Sequence, residues 1–227
     1  MIDEKIGHHT PRYGNSGYKR RDSDFYATPS WVTEILVPYI PKRYYAIWEP
    51  AYGEGHIGKV LGKNDKHVFG TDINHENENH KIDFISNDAI EFCRHRFPVT
   101  SPVAIVTNPP YSLASEFVER AIKLSEPTWT LPTHGFVAML LNNNWDAAKG
   151  NSRFTSLPCF DKKIVITKRI RWIEGSTGSP RENHAWYIWD HNRCEYPTTK
   201  PGFPTIHYWR NEHNNDNMSL DKASIVE

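Results

Sequence analysis

Asn108-Pro109-Pro110-Tyr111 is the stretch of this sequence best equipped for chemistry. Two consecutive prolines lock their own φ angles and remove two backbone donors. The first also pushes Asn108 away from helical geometry. The result is a stiff turn that faces an amide, a bare carbonyl and an aromatic ring toward one spot. Taken alone, the same four residues also describe a rigid loop with a polar first residue, so their surroundings decide. A second group of candidates precedes them: Glu49, Gly53, Gly55, Gly58 and Asp72. Glycines at a strand-to-helix turn let backbone approach a ligand closely. The GxG with Gly58 three residues on superficially matches a dinucleotide fingerprint. Glu49 fits a pyrophosphate poorly and suits a cationic ligand. Asp72 follows Gly55 at close to the spacing of an acid that binds ribose hydroxyls; the plainer alternative is an aspartate that caps the next turn.

These residues need elements to position them. Residues 103–107 form a short apolar, β-branched run that reads as a buried strand ending in Asn108. In open α/β sheets, ligands bind in the crevice at such strand ends. Residues 45–49, 67–73, 82–85 and 135–141 read as further strands, with Glu49, Asp72 and Asp83 at or near strand ends. Helices are expected after Thr28 and Pro29, which suit the N-cap and first helical positions, and again after Gly58. Two more are expected over 89–96 and 112–124. Strand-like segments 162–172 and 184–190, joined by a Gly/Ser-rich loop, close the pattern. The fold class is therefore α/β: seven strands, mostly parallel, with a terminal antiparallel hairpin. Residues 1–22 read as a flexible polar arm, 23–210 as one domain, and 211–227 as a flexible polar tail.

Composition narrows the class. The 227 residues suit one domain with a real core. Lys plus Arg equals Asp plus Glu at 27 each, so whole-chain charge says nothing about an anionic partner. Cys93, Cys159 and Cys194 are far apart, which argues against a zinc ribbon or disulfide framework and fits a reducing cytoplasm. His75 and His80 lack metal-ligand spacing, so no metal is expected. No apolar run approaches membrane-spanning length, and the polar N-terminus shows no signal peptide. Segment 162–171 holds five cations and no acid. It reads either as a phosphate track or as a solvated edge strand guarded by lysines.

In this order, the segments resemble S-adenosylmethionine-dependent methyltransferases that act on adenine N6 in DNA. The resemblance runs from about Phe25 to Asp190. Phe25-Tyr26-Ala27-Thr28-Pro29 is similar to the segment packed on the cofactor's methionine end. Glu49-Pro50-Ala51-Tyr52-Gly53-Glu54-Gly55 resembles the glycine loop, Thr71-Asp72-Ile73 the ribose-binding acid, and Asp83-Phe84 the pair flanking the cofactor's adenine. Asn108-Pro109-Pro110-Tyr111 resembles the catalytic D/N-P-P-Y/F. More narrowly, Arg169-Ile170-Arg171-Trp172 and Asn183-His184-Ala185-Trp186 resemble a small phage- or prophage-type group. The resemblance implies a Rossmann-like class I methyltransferase fold, S-adenosyl-L-methionine as cofactor and DNA as partner. The large enzymes of this family carry a separate target-recognition region. No insertion here is long enough for one, so specificity falls to loops 142–161 and 173–182.

The chemistry implied is N-methylation. The lone pair of an exocyclic adenine nitrogen is delocalised into the ring. Acceptors aimed at its two N–H bonds, the Asn108 side-chain oxygen and the Pro109 carbonyl, localise it toward a methyl donor, with Pro110 holding that carbonyl. Tyr111 stacks on a base that is flipped out or single-stranded. Rival substrates are adenine in RNA and a protein glutamine. Glutamine enzymes of this kind usually carry an N-terminal helical domain, whereas the first strand here begins at Tyr45. A non-catalytic nucleic-acid-binding subunit of the same fold is a rival of another class. A nicotinamide oxidoreductase gives the NPPY turn no role.

Overall fold

The computed structural model describes residues 26–98, 101–127, 134–172, 180, 182–194 and 204–210. The expected arm, the tail and most of loop 173–182 lie outside these residues. Seven strands form one sheet: β1 (Ala46–Glu49), β2 (His67–Gly70), β3 (Ala104–Thr107), β4 (Phe136–Asn142), β5 (Phe160–Ile166), β6 (His184–Asp190) and β7 (Thr205–Trp209). Their order is β2-β1-β3-β4-β6-β5-β7. Strand β6 runs antiparallel to both neighbours, and every other pairing is parallel. The expected α/β sheet with its antiparallel β5–β6 pair is present.

Helices α1 (Ser30–Leu36), α2 (His56–Lys63), α3 (Asp88–Arg96), α4 (Ala114–Ser125) and the short α5 (Ser152–Thr155) cover the sheet. Successive strand residues point to opposite faces. Ile47, Ala104, Val106, Ala138, Leu140, Trp186 and Ile188 pack with α1 and α2. Trp48, Ile105, Val137, Met139, Tyr187 and Trp189 pack with α3, α4 and α5. Every residue of β6 is buried, which is why it reads as a near-continuous apolar run. Two indole N–H groups fasten the layers: Trp186 Nε1 donates to the Val32 carbonyl at 2.9 Å and Trp189 Nε1 to the Phe154 carbonyl at 2.8 Å.

Three local expectations are corrected. Residues 82–85 are not a strand; next to them there is only an isolated bridge between Asp72 and Lys81. Asp83 Oδ1 accepts the Ile85 N–H at 3.1 Å, closing a turn, while Phe84 drops into the core between Trp48 and Phe117. The seventh strand is instead β7, paired to the outer side of β5. Segment 162–172 is shorter than expected, because β5 ends at Ile166. Finally, Pro29 occupies the N-cap of α1 and no side chain caps it. Thr28 is buried and has another task.

Candidate functional site

The sheet order sets where a ligand can sit. The chain leaves β1 for β2 on one side, then crosses to β3 on the other, so β1 and β3 flank a topological switch point. Their carboxyl ends open a crevice there. The glycine loop leaves β1 and the NPPY turn leaves β3, so the two candidate groups meet across this crevice. A cleft of about 490 Å³ fills it, a size ordinary for cofactor sites.

Of the sequence candidates, Tyr26, Thr28, Glu49, Ala51, Gly53, Asp72, Asn108 and Pro110 line the cleft. Pro29, Pro50, Gly55, Ile73, Asp83, Phe84, Pro109 and Tyr111 are not part of its lining. Ile73 is exposed, and Phe84 is 2% exposed within the core. The lining carries four carboxyl side chains, Glu49, Glu54, Asp72 and Glu76, and neither lysine nor arginine. Such a wall attracts a cationic ligand and repels a pyrophosphate.

Glu49 is the most constrained of the four. It is 1% exposed, and its Oε2 has no hydrogen-bond partner. Burial raises its carboxyl well above the usual carboxylate range; a hydrogen bond with the Gly58 backbone opposes this, and the charge of Asp72 adds to it. Asp72 is held from both sides: Oδ2 accepts the Gly53 N–H and Oδ1 the Asn74 N–H, each at 2.9 Å. Each oxygen keeps a second lone pair for a ligand hydroxyl.

Asn108 is fixed by the Thr28 hydroxyl, which accepts from its Nδ2 at 3.2 Å. In this arrangement Nδ2 is engaged and Oδ1 is left as an acceptor. The Tyr111 hydroxyl lies 2.8 Å from His184 Nε2, and its ring stands edge-on to Tyr26 at 6.0 Å. Asn108 and Tyr111 thus have separate anchors, with two stiff prolines between them.

Tyr52, which the sequence placed in the glycine loop without a role of its own, lines the cleft. Three glycines converge on its ring. A Cβ on Gly70 would stand 2.5 Å from Tyr52 Cγ, one on Gly55 2.8 Å from Cε1, and one on Gly58 2.9 Å from Cε2. Gly55 also has φ +73°, which favours glycine in its own right. The close approach that these glycines permit is therefore to a tyrosine of the chain itself. Gly70→Ala should cost about 1–3 kcal/mol of stability through overpacking. In a Tyr52→Ala background the added cost should largely vanish. Denaturant unfolding of the two singles and the double checks this, and additive losses would refute the slot.

The strand part of the cationic segment is not an edge, and its two lysines are paired. Strand β7 covers β5, Lys162 pairs with Asp161 at 2.9 Å, and Lys163 pairs with Asp146 at 3.0 Å. Arg153 pairs with Glu119 at 3.0 Å, and Arg169 donates to Asn183 Oδ1 at 3.1 Å. Among the described residues no group of three or more His, Cys, Asp or Glu side chains is placed to hold a metal ion. No described helix is long and apolar enough to cross a membrane.

No protein-family model matches the chain, and comparison with curated proteins finds no match. Several solved structures are similar. A modification subunit from Vibrio vulnificus YJ016 superposes with a TM-score of 0.49 at 13% identity, over 82% of this chain and 47% of that one. The chain thus spans about half that subunit's length. The 23S rRNA methyltransferase ErmE gives 0.46 at 16% identity, over 74% of this chain and 69% of that one. A SAM dependent methyltransferase from Archaeoglobus fulgidus gives 0.42 at 12%, over 72% and 94%. Likeness of this degree leaves function to be read from the site.

Proposed function

We propose that the chain is an S-adenosyl-L-methionine-dependent methyltransferase of the small phage or prophage type. In this reading residues 23–210 are one catalytic domain that methylates the N6 amino group of adenine in DNA. One observation carries the reading: an acidic, cation-seeking cleft opens beside an asparagine whose amide nitrogen is tied down and whose oxygen is left to accept.

The cleft suits this cofactor. The Glu49 carboxyl in its wall suits the ammonium of a methionyl group, and Asp72 has lone pairs to spare for ribose hydroxyls. The bound cofactor supplies an electrophilic methyl group on a sulfonium centre. The protein's own work lies on the acceptor. Asn108 Oδ1 takes one N–H of the amino group, and the Pro109 carbonyl takes the other. The nitrogen lone pair is thereby drawn out of the ring and aimed. Proline at 110 has a fixed φ that holds the turn. Tyr111 offers a face for a base that has left the helix or was never paired. After transfer the methylated nitrogen carries a positive charge and releases one of its own two protons to water.

The test is methyl transfer from labelled S-adenosylmethionine to unmethylated plasmid DNA, followed by nucleoside mass spectrometry. N6-methyladenine in the product supports the reading. Transfer only to RNA adenine or to a protein glutamine would replace the substrate and keep the chemistry. No binding of S-adenosylhomocysteine would refute the cofactor, and favour a non-catalytic subunit.

A further inference from the structure

Two sequence segments have no role in the reading above, 169–172 and 183–186. The fold brings one ring from each to the tyrosine of the NPPY turn. His184 opens β6 at 1% exposure, with Nε2 placed 2.8 Å from the Tyr111 hydroxyl. Trp172 stands edge-on to His184 at 5.1 Å and tilted against Tyr26 at 5.8 Å. Tyr26 returns to Tyr111 at 6.0 Å. The four rings form a closed circuit, at separations where aromatic pairs attract. Tyr26 and Thr28 belong to one strip of chain, and Thr28 holds Asn108. The turn is pinned at both ends, Asn108 by Thr28 and Tyr111 by His184.

The imidazole is suited to a neutral hydrogen bond. Burial lowers its pKa to about 4, and hydrogen bonding of the ring to the Glu182 backbone opposes this. At neutral pH it therefore carries one donor and one acceptor nitrogen and no charge. A tyrosine that presents a stacking face must hold its plane within about 10–20° to keep a reacting group aligned. A ring restrained only by its own χ angles would not do so.

We propose that His184 is a positioning residue for the acceptor base: its Nε2 holds the Tyr111 hydroxyl and so fixes the plane of that ring, with Trp172 packed against the imidazole. This rests on the proposed methyl transfer to adenine.

His184→Phe keeps a ring and removes the nitrogens, and Tyr111→Phe removes the hydroxyl. Together they close a double-mutant cycle. With unmethylated duplex DNA, each single should lose about tenfold in kcat/KM, the size of one hydrogen bond. The double should lose no more than either single, because the second change removes a contact already gone. His184→Gln, which restores a side-chain donor and acceptor, should recover part of the loss. S-adenosylhomocysteine affinity by calorimetry should be unchanged, since His184 is outside the cleft lining. A readout free of turnover is the His184 Nε2 resonance in 15N NMR, which should move in Tyr111→Phe. Losses that multiply in the double, full activity in His184→Phe, or a parallel fall in cofactor affinity each overturn the positioning role. A wild type that binds S-adenosylhomocysteine but transfers nothing to DNA overturns the function reading itself, and this role with it.

Discussion

Replacing Asn108 by alanine is expected to reduce methyl transfer by about 10³-fold, the scale of losing a preorganised polar contact at a reacting centre. The reason is geometric. Asn108 lines the cleft, and with its amide nitrogen on Thr28 at 3.2 Å its oxygen is the atom left to accept. Alanine removes that acceptor but leaves Pro109 and Pro110, and with them the shape of the turn. S-adenosylhomocysteine should still bind within about threefold, because the groups that face its charged and hydroxyl ends are Glu49 and Asp72. The loss should fall on kcat, as expected of an interaction made in the transition state. Asn108→Asp keeps oxygen acceptors while losing the donor to Thr28, and should retain more activity than the alanine variant. Single-turnover transfer together with calorimetry reads both parts. An alanine variant as active as wild type would remove the amide from the mechanism. One that no longer binds cofactor would make Asn108 a binding residue instead.

How far the sequence could be read depended on whether a signal was local. Strands β1, β3, β4 and β6 are buried on both faces, so each appears as an uninterrupted apolar run. Glu49, Asp72 and Asn108 could be singled out because chemistry in such sheets gathers at strand ends, and the cleft does collect all three. Residues 82–85 have strand-like composition, yet Phe84 is buried by dropping between Trp48 and Phe117, not by lying in a sheet. Burial and strand pairing leave the same mark on so short a segment. Strand β7 was hidden for the opposite reason: Ile206 and Tyr208 are exposed, so no buried face advertises it. The features that set the site's shape are non-local. Gly55, Gly58 and Gly70 come from a loop, a helix and a strand and meet only around Tyr52. Tyr111 and His184 are joined by a hydrogen bond across most of the sheet's connectivity. No spacing rule reaches such pairs.

Glu49→Gln is expected to weaken S-adenosylhomocysteine binding by about 10- to 100-fold, the range of one charge-assisted hydrogen bond in a buried site. The variant keeps the size and one acceptor oxygen, exchanges the other oxygen for an NH2 donor, and removes the charge. Charge is also what the free protein holds at a cost. The buried Glu49 carboxyl has no partner on Oε2 and is raised well above its ordinary value of 4.5 by burial. The sign of the linkage follows. A folded-state pKa above the unfolded one means that the native state binds more protons, so stability is full below 4.5 and falls as pH rises through the folded value. The ligand-free wild type should therefore lose thermal stability across that window, and Glu49→Gln should flatten that part of the slope. A ligand ammonium reverses the preference, because it pairs with the ionised form. Binding below the folded value should then release a proton, measurable by calorimetry in two buffers of different ionisation heat, and the variant should release less. The same affinity and proton count in wild type and Glu49→Gln would show that the cleft does not read its ligand's positive charge through this residue.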